Sequence, residues 1–273
     1  MKIRLGRIEY VNVLPVYYAL EQVFGENGFY LVSGPPAGLN ERLRRGELDI
    51  SPVSSLEWGR CPREYLLLPD LSISSRGPVG SVLFFSRRPV AELDGGSVRL
   101  SDASATGAAL LKVLLEKRYG VRPRFYQGKA EGGPEADLTG VLAIGDDALR
   151  LRIKGAWPQV LDLGEAWHEW TGLPFVFGVW AVRRDFARQY PGEVAGLHRL
   201  LLRSRAWGLQ ALPDLSRQAA ARLSLTAAEA LTYFRQLDYS LGPDHEAGLA
   251  RFFQDLAGLG ELPHVPAVEY FSG

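Results

Sequence analysis

Residues 1–20, MKIRLGRIEYVNVLPVYYAL, contain the pattern on which the fold prediction depends. Charged and apolar residues alternate from Lys2 to Ile8, as they do in a half-buried strand. A loop follows over residues 9–14. Pro15 then suits the first turn of a helix, because the N–H that proline lacks would be unpaired there anyway. This order of strand, loop and helix predicts an α/β unit at the start of the sequence.

The same alternation of strand and helix signals continues along most of the 273 residues. It predicts a mainly parallel α/β architecture. Further strands are expected at residues 29–33, 48–53, 65–68, 79–86, 98–100, 124–126, 139–144 and 160–163. Helices are expected at residues 15–24, 38–46, 104–119, 191–211, from 226 onward, and 243–256.

The length of the chain suits two lobes better than a single core. VLFFSRR (residues 82–88) and VWAVRR (residues 179–184) are apolar strands that both end in Arg-Arg. If they are the two crossover strands, residues 89–183 form a second lobe inserted into a first lobe made of residues 1–88 and 184–273. Alternatively, they are unrelated buried strands with charged ends. The first interpretation predicts a two-lobed α/β fold with a cleft between the lobes.

Charge and cysteine content narrow the classes of function. The 31 basic and 31 acidic side chains give a formal net charge of zero, so no global positive field would attract nucleic acid. The single cysteine, Cys61, excludes an internal disulfide, and we expect it to be a partly buried thiol. No apolar run reaches the ~20 residues of a membrane span, and we expect no leader before the first strand. We therefore expect a cytoplasmic protein with neither nucleic-acid nor membrane partners.

Three loops carry polar groups to one edge of the predicted sheets. Ligands of open α/β sheets bind beyond the carboxyl ends of the strands, next to helix starts. The first strand is followed by Tyr10 and Asn12, the strand at residues 48–53 by Ser54 and Ser55, and another strand by SDASATG (residues 101–107). Small hydroxyls and free N–H groups at a helix start suit a carboxylate or phosphate. Helix capping alone also explains one such loop.

The usual catalytic signatures are missing from the sequence. Its four histidines lack metal-ligand spacing, and Cys61 cannot complete a zinc site. Neither a GxSxG elbow nor a GxGxxG fingerprint occurs, so we expect no metal and no cofactor. His168, in WHEW (residues 167–170), is expected to be structural. Asp146 and Asp147 are consistent either with a carboxylate base or with a cap for the next helix.

Five spaced motifs resemble those of the chorismate dehydratase family, from the futalosine route to menaquinone. RIEYVNVLP (residues 7–15) resembles the opening motif RIxYxNxxP, and SSLEW (54–58) resembles an SSxE-aromatic segment. SISSRGPVGSV (72–82) is similar to SISSxGxVxSV, while SAT (104–106) and GLPFVF (172–177) follow in the family's order. The resemblance covers the first ~185 residues and adds little for the helical C-terminus.

This resemblance implies a fold, a location and a reaction. The fold is that of the type II periplasmic binding proteins, recruited for catalysis in the cytosol. The reaction removes water from chorismate, a dianion, to give 3-[(1-carboxyvinyl)oxy]benzoate. Aromatisation of the ring supplies the driving force, so the enzyme mainly holds the dianion, removes the ring C3 proton and helps the neighbouring hydroxyl to leave.

The matched motifs also imply residue roles. Asn12 is expected to donate or accept a hydrogen bond at the reacting centre, and Ser81 to reach the cleft beside the hydroxyl or a carboxylate. Either a substrate carboxylate or Asp146 takes the proton. Seven residues are expected to bind the substrate: Tyr10, Ser54, Ser55, Ser104, Ala105, Thr106 and Gly107.

Two other functions fit the same architecture. The sister family, 1,4-dihydroxy-6-naphthoate synthase, opens with SPCPNDTF and has a His-Glu pair where this chain has Gly145 and Asp146. Both departures point away from it. A non-catalytic protein that only captures an anion would share the fold, which therefore does not separate binder from enzyme.

Overall fold

The structure is a computed structural model that describes residues 2–25, 28–102, 104–128, 138–223 and 225–273. Its strands are β1 (Ile3–Ile8), β2 (Phe29–Gly34), β3 (Ile50–Ser54), β4 (Tyr65–Ser75), β5 (Val82–Ser86), β6 (Ser97–Ser101), β7 (Arg124–Gly128), β8 (Gly140–Ile144), β9 (Gln159–Asp162) and β10 (Phe175–Arg183). Its α-helices are α1 (Leu14–Ala19), α2 (Pro36–Arg44), α3 (Ser55–Arg60), α4 (Ala105–Val113), α5 (Gly145–Lys154), α6 (Leu163–Thr171), α7 (Arg184–Gln189), α8 (Pro191–Gln210), α9 (Leu212–Leu223), α10 (Ala227–Gln236) and α11 (Pro243–Gly258).

Shorter helical turns extend or precede several of these elements. They are 3₁₀ turns at Val11–Val13 and Val90–Glu92, and π turns at Leu20–Phe24 and Leu114–Arg118. The first strand, loop and helix lie where the sequence predicts them, with proline in the first turn of α1.

Two five-stranded sheets contain the described strands, in the orders β2-β1-β3-β10-β4 and β7-β6-β8-β5-β9. Strands β1, β2 and β3 are parallel, as are β6, β7 and β8. Strand β10 runs antiparallel to β3 and β4, and β5 runs antiparallel to β8 and β9. The expectation of a mainly parallel architecture is therefore wrong. Strands β5 and β10 come from the other sheet, and each pairs antiparallel with both of its neighbours.

The chain passes between the sheets twice, which confirms a two-lobed α/β fold. It leaves the first sheet after β4 and enters the second at β5, then returns from α6 to β10. The predicted boundaries at residues 88/89 and 183/184 do not match these sheets, because β5 pairs in the second and β10 in the first. The connections instead lie at residues 76–81 and 163–174. The two strands that end in Arg-Arg thus lie in different sheets, β5 in the second and β10 in the first.

Side chains of both sheets share one large core. Val82 and Phe84 of β5 face that core, whereas the alternating Leu83 and Phe85 face a smaller cluster with Trp157. The C-terminal helices close the structure: α8 packs on α1, α9 also contacts α5, and α11 contacts both β10 and α4. They therefore cover the second lobe as well as the first.

Among the described residues, every helix is too short or too polar to cross a membrane.

Candidate active site

The loop after β1 meets the second lobe at Gly145, the first residue of α5. The Tyr10 ring lies directly on this glycine, so that a Cβ built there would be 3.0 Å from Tyr10 Cδ1. Gly145 also has a φ of +57°, a conformation that favours glycine. Burial, together with Asp147 and Asp146, raises the pKa of Tyr10 to about 12. Tyr10 is therefore a neutral side chain that contacts both lobes.

The side chain of Asn12, in the same loop, has an oxygen without a hydrogen-bond partner among the described residues. Its Oδ1 atom is buried and accepts no hydrogen bond from the described residues. Its main-chain carbonyl, by contrast, accepts a 2.7 Å hydrogen bond from the Tyr239 hydroxyl. The backbone of Asn12 is thus fixed from the C-terminal region, and a buried amide oxygen remains available to a donor. An unsatisfied oxygen of this kind costs about 1–3 kcal/mol, which a bound donor would recover.

Ser81 lies at the end of the first connection between the lobes and is 3% exposed. The Tyr233 hydroxyl donates to Ser81 Oγ over 3.0 Å. The Ser81 carbonyl accepts a 2.7 Å hydrogen bond from the Gly145 N–H. Asp162 holds the preceding residues, because its carboxylate accepts from the N–H groups of Val79 and Gly80. Ser81 therefore links the connection, the start of α5 and the C-terminal helix α10.

Asp146 is buried between the loop after β1 and the C-terminal helices. Its Oδ1 accepts from the Val11 N–H over 3.4 Å, and its Oδ2 lies 3.1 Å from the Arg222 guanidinium. Arg222 also donates to the Glu9 carbonyl. Burial raises the pKa of Asp146, and Arg222 and the Val11 N–H oppose that rise. Both carboxylate oxygens already have protein partners, which fits a contact between lobes as well as it fits a base.

Helices α3 and α4 begin side by side, one from each lobe, and the predicted hydroxyls bond within the protein there. Ser54 Oγ accepts from the Glu57 N–H over 3.2 Å, and Ser104 Oγ accepts from the Gly107 N–H over 2.9 Å. Both are N-caps, so capping is confirmed at these two positions. A capping hydroxyl uses its oxygen as the acceptor, and its proton stays available for a ligand.

The other predicted residues of this group bridge elements instead of capping them. Thr106 Oγ1 accepts from the Leu56 N–H over 3.0 Å, which ties the start of α4 to α3. The Ser55 hydroxyl donates to the Val176 carbonyl of β10. Ala105 is half-buried at the first position of α4. A cavity of about 200 Å³ opens beside these residues, and Arg60 and Lys112 lie on its wall.

The two groups of predicted residues adjoin at Gly107. A Cβ built on Gly107 would lie 3.3 Å from Val82 Cγ1 and 3.5 Å from Ile144 Cγ2. These are the chain neighbours of Ser81 and Gly145. The two groups of predicted residues therefore lie next to each other where the two lobes meet. Ala103, within the predicted loop at residues 101–107, lies outside the described residues.

Sequence reasoning missed Tyr233, Tyr239, Asp162 and Arg222, which hold the cleft residues in place. No motif marks any of them. The C-terminal helices and the segment after α10 supply three of the four, in the part of the chain for which the family resemblance adds little.

Three of the four histidines make structural contacts. His168 lies 3.2 Å from the Leu173 carbonyl, His198 lies 2.8 Å from the Pro69 carbonyl, and His245 lies 3.0 Å from Asp238. Burial raises the pKa of the Cys61 thiol, which disfavours a reactive thiolate. Within the described ranges, no cluster of three or more His, Cys, Asp or Glu could hold a metal ion.

Comparisons with known proteins place this arrangement among biosynthetic enzymes. Residues 3–257 match a family model described as menaquinone biosynthesis. The chain is 34% identical to a chorismate dehydratase from Thermus thermophilus, over 96% of each chain. It is also 29% identical to a 1,4-dihydroxy-6-naphtoate synthase from the same organism, over 81% of each.

The fold matches solved structures of periplasmic binding proteins. The chain superposes on the periplasmic aliphatic sulphonate binding protein SsuA from Escherichia coli with a TM-score of 0.69. The match covers 100% of this chain and 94% of that one, at 13% identity. This similarity confirms the predicted periplasmic-binding-protein-like fold.

Proposed function

We propose that this chain, which belongs to the menaquinone biosynthesis family, is a chorismate dehydratase. Its full-length similarity to the Thermus thermophilus enzyme of that name supports the substrate and the reaction. The structural observation that carries the proposal is the Asn12 side chain, whose buried Oδ1 has no partner among the described residues. Ser81 is linked to the same loop through Gly145. The Ser81 carbonyl accepts a hydrogen bond from the Gly145 N–H, and the Tyr10 ring packs on Gly145.

The reaction eliminates water across two neighbouring ring carbons. The C3 proton is removed, the electron pair of the C–H bond becomes part of the aromatic ring, and the neighbouring hydroxyl leaves with its bonding electrons. The base that removed the C3 proton passes it to the departing hydroxide, which completes the water and restores the base. Asn12 binds at the reacting centre, and Ser81 donates a hydrogen bond to the departing oxygen.

The starts of α3 and α4 hold the carboxylates of the substrate. Ser54 and Ser104 direct their free hydroxyl protons there, and Thr106 keeps its proton after accepting from Leu56. Arg60 lies on the wall of the adjacent cavity, where Lys112 is paired with Glu261 at 2.5 Å. Carboxylates are favoured at helix starts of this kind because free N–H groups point at them. Ser55, Ala105 and Gly107 shape the seat, and Tyr10 covers it from the other side.

A carboxylate of the substrate itself takes the C3 proton. The protein alternative, Asp146, has both oxygens engaged by Val11 and Arg222, and it would have to release one of them to act. Its contacts support a role in holding the lobes together.

Gly145 supports chorismate dehydratase over the sister activity. The naphthoate synthase family has a histidine of a His-Glu pair at this place. In this chain the Tyr10 ring lies against Gly145, and a Cβ built there would be 3.0 Å from Tyr10 Cδ1. A histidine at this position would press on Tyr10 and would be strained by the positive φ.

The proposal is tested by mixing the purified protein with chorismate and following the products by mass spectrometry. We expect catalytic formation of a product lighter by one water, at the same rate with and without a chelator. Chorismate that binds tightly but stays intact would instead identify a non-catalytic anion-binding protein. Neither binding nor turnover would reject the substrate.

We also propose that the protein acts in the cytoplasm. Its membership of a biosynthetic family supports this location. Fractionation of cells that express the native gene would test it, since recovery in the periplasmic fraction would contradict it.

A further inference from the structure

Tyr233 contacts the proposed catalytic serine from a distant part of the sequence. It lies on α10, 152 residues from Ser81, and is 4% exposed. Its hydroxyl is 3.0 Å from Ser81 Oγ. Its ring packs against Gly80, where a built Cβ would lie 3.2 Å from Tyr233 Cδ2. Both ends of the tyrosine side chain therefore contact the connection that carries Ser81.

The backbone on either side of the Ser81 side chain is fixed by other contacts. The Gly80 N–H donates to Asp162 over 2.7 Å, and Gly80 has a φ of +72°. The Ser81 carbonyl accepts from the Gly145 N–H. These contacts set where Ser81 Cβ lies, but they leave the rotation of its hydroxyl undetermined. The hydrogen bond from Tyr233 determines that rotation.

The direction of this hydrogen bond decides where the serine proton points. Burial raises the pKa of the Tyr233 hydroxyl, so it remains protonated and can donate. A serine hydroxyl has one proton and two acceptor lone pairs. Because Ser81 Oγ accepts from Tyr233, its own proton is free for another acceptor.

We infer that Tyr233 is a positioning residue that orients the Ser81 hydroxyl as a hydrogen-bond donor to the departing oxygen of the substrate. This inference rests on the proposed dehydratase function. As the C–O bond breaks, negative charge develops on that oxygen, and the Ser81 O–H stabilises it without losing its proton. The Tyr233 O–H in turn polarises Ser81, since hydrogen bonds in a chain strengthen one another.

A purely structural role for Tyr233 makes a different prediction. Its ring contributes to packing on Gly80, and the variant Tyr233→Phe keeps that ring. Only the hydroxyl is lost, so a change in kcat without a change in unfolding temperature reports the hydrogen bond. Tyr65→Phe is a matched control: Tyr65 is 1% exposed, and its hydroxyl has no hydrogen-bond partner among the described residues.

The test measures kcat and KM for chorismate in the wild type, Tyr233→Phe, Ser81→Ala and the double variant. We expect Tyr233→Phe to lower kcat about tenfold with KM within about twofold, and to have no further effect in the Ser81→Ala background. Tyr65→Phe should match the wild type. Chorismate binding, measured by calorimetry, should be unchanged in Tyr233→Phe.

Two outcomes would overturn the inference alone, with the wild type active. One is an unchanged kcat in Tyr233→Phe. The other is an equal loss on both backgrounds, because independent effects would then multiply. Absence of turnover by the wild type would overturn the proposed function, and the inference with it.

Discussion

The two sides of the cleft differ in how their polar groups are satisfied. On the capping side, formed by the starts of α3 and α4, Ser54, Ser104 and Thr106 each accept a main-chain N–H. On the reaction side, formed by Asn12 and Ser81, Ser81 Oγ accepts from Tyr233, but the Asn12 Oδ1 is buried without a partner in the described structure. The first arrangement stabilises the fold whether or not a ligand is bound. The second carries an energetic cost that a substrate can relieve.

This contrast separates binding and stability from catalysis. Groups already satisfied within the protein should affect folding and affinity when they are replaced. A group that the protein leaves unsatisfied should affect mainly the rate, because little in the folded state depends on it. Substitutions on each side test that division.

Asn12→Ala should have the largest effect on activity. We expect kcat to fall by about 10²–10³-fold, the usual loss when one preorganised polar group at a reacting centre is removed. The unfolding temperature should stay the same or rise, because the Asn12 Oδ1 accepts no hydrogen bond from the described residues. Steady-state kinetics and thermal unfolding check both parts. A large loss of stability would show that the side chain has a structural role instead.

Thr106→Val should mainly destabilise the protein. Valine keeps the shape but leaves the buried Leu56 N–H unpaired, at a cost of about 1–3 kcal/mol. The same contact joins the two lobes, so KM for chorismate should rise. Denaturant unfolding and steady-state kinetics measure these changes. Thr106→Ser is the control that retains the acceptor, and a stability loss of equal size in that variant would refute the role of the hydroxyl.

Ser104 allows capping to be separated from substrate binding. Ser104→Ala should cost about 1 kcal/mol of unfolding free energy through loss of the cap on α4. Ser104→Asp should restore the cap and the stability, yet raise KM strongly, because its charge repels a carboxylate of the substrate. If Ser104→Asp bound chorismate as well as the wild type, this helix start would not be the carboxylate seat.

Asp146→Asn should have the smallest effect on activity. If a substrate carboxylate takes the proton, kcat should stay within about threefold of the wild type. A loss above about 100-fold would make Asp146 the base.

The Asp146→Asn variant also tests how the stability of the protein depends on pH. Burial raises the pKa of Asp146 in the folded protein, so its ionisation destabilises the fold as pH rises through that pKa. The advantage of Asp146→Asn in unfolding temperature should therefore be larger at about pH 7 than at about pH 4. A higher unfolding temperature of Asp146→Asn at the lower pH alone would contradict a raised pKa of Asp146.

The sequence predicted the parts of the site that depend on local pattern. The strand–loop–helix order at residues 3–19 placed Asn12, and the strands before Ser54 and Ser104 placed both helix starts at the same cleft. Local pattern also offered capping as the alternative explanation of the loop that contains Ser104, and the structure shows that cap. The family motifs contributed Ser81, which no periodicity singles out.

The remaining parts of the site and of the fold depend on tertiary contacts, which no local sequence pattern predicts. Tyr233 and Tyr239 lie 152 and 227 residues from the groups they hold. A tyrosine near the apolar face of a C-terminal helix predicts core packing. Only the tertiary structure shows which group its hydroxyl contacts. The lobe boundaries were misplaced for a related reason: β5 and β10 are buried apolar strands, and burial does not reveal the sheet in which a strand pairs.

We infer that this cleft converts chorismate and does not merely bind it. The most direct test measures, under the same conditions, product formed per protein molecule and chorismate affinity for the wild type and for Asn12→Ala. We predict many turnovers by the wild type, and in the variant an affinity within about tenfold of the wild type with turnover reduced at least about 100-fold. Wild-type protein that binds chorismate and releases it unchanged, or Asn12→Ala with full turnover, would contradict the claim.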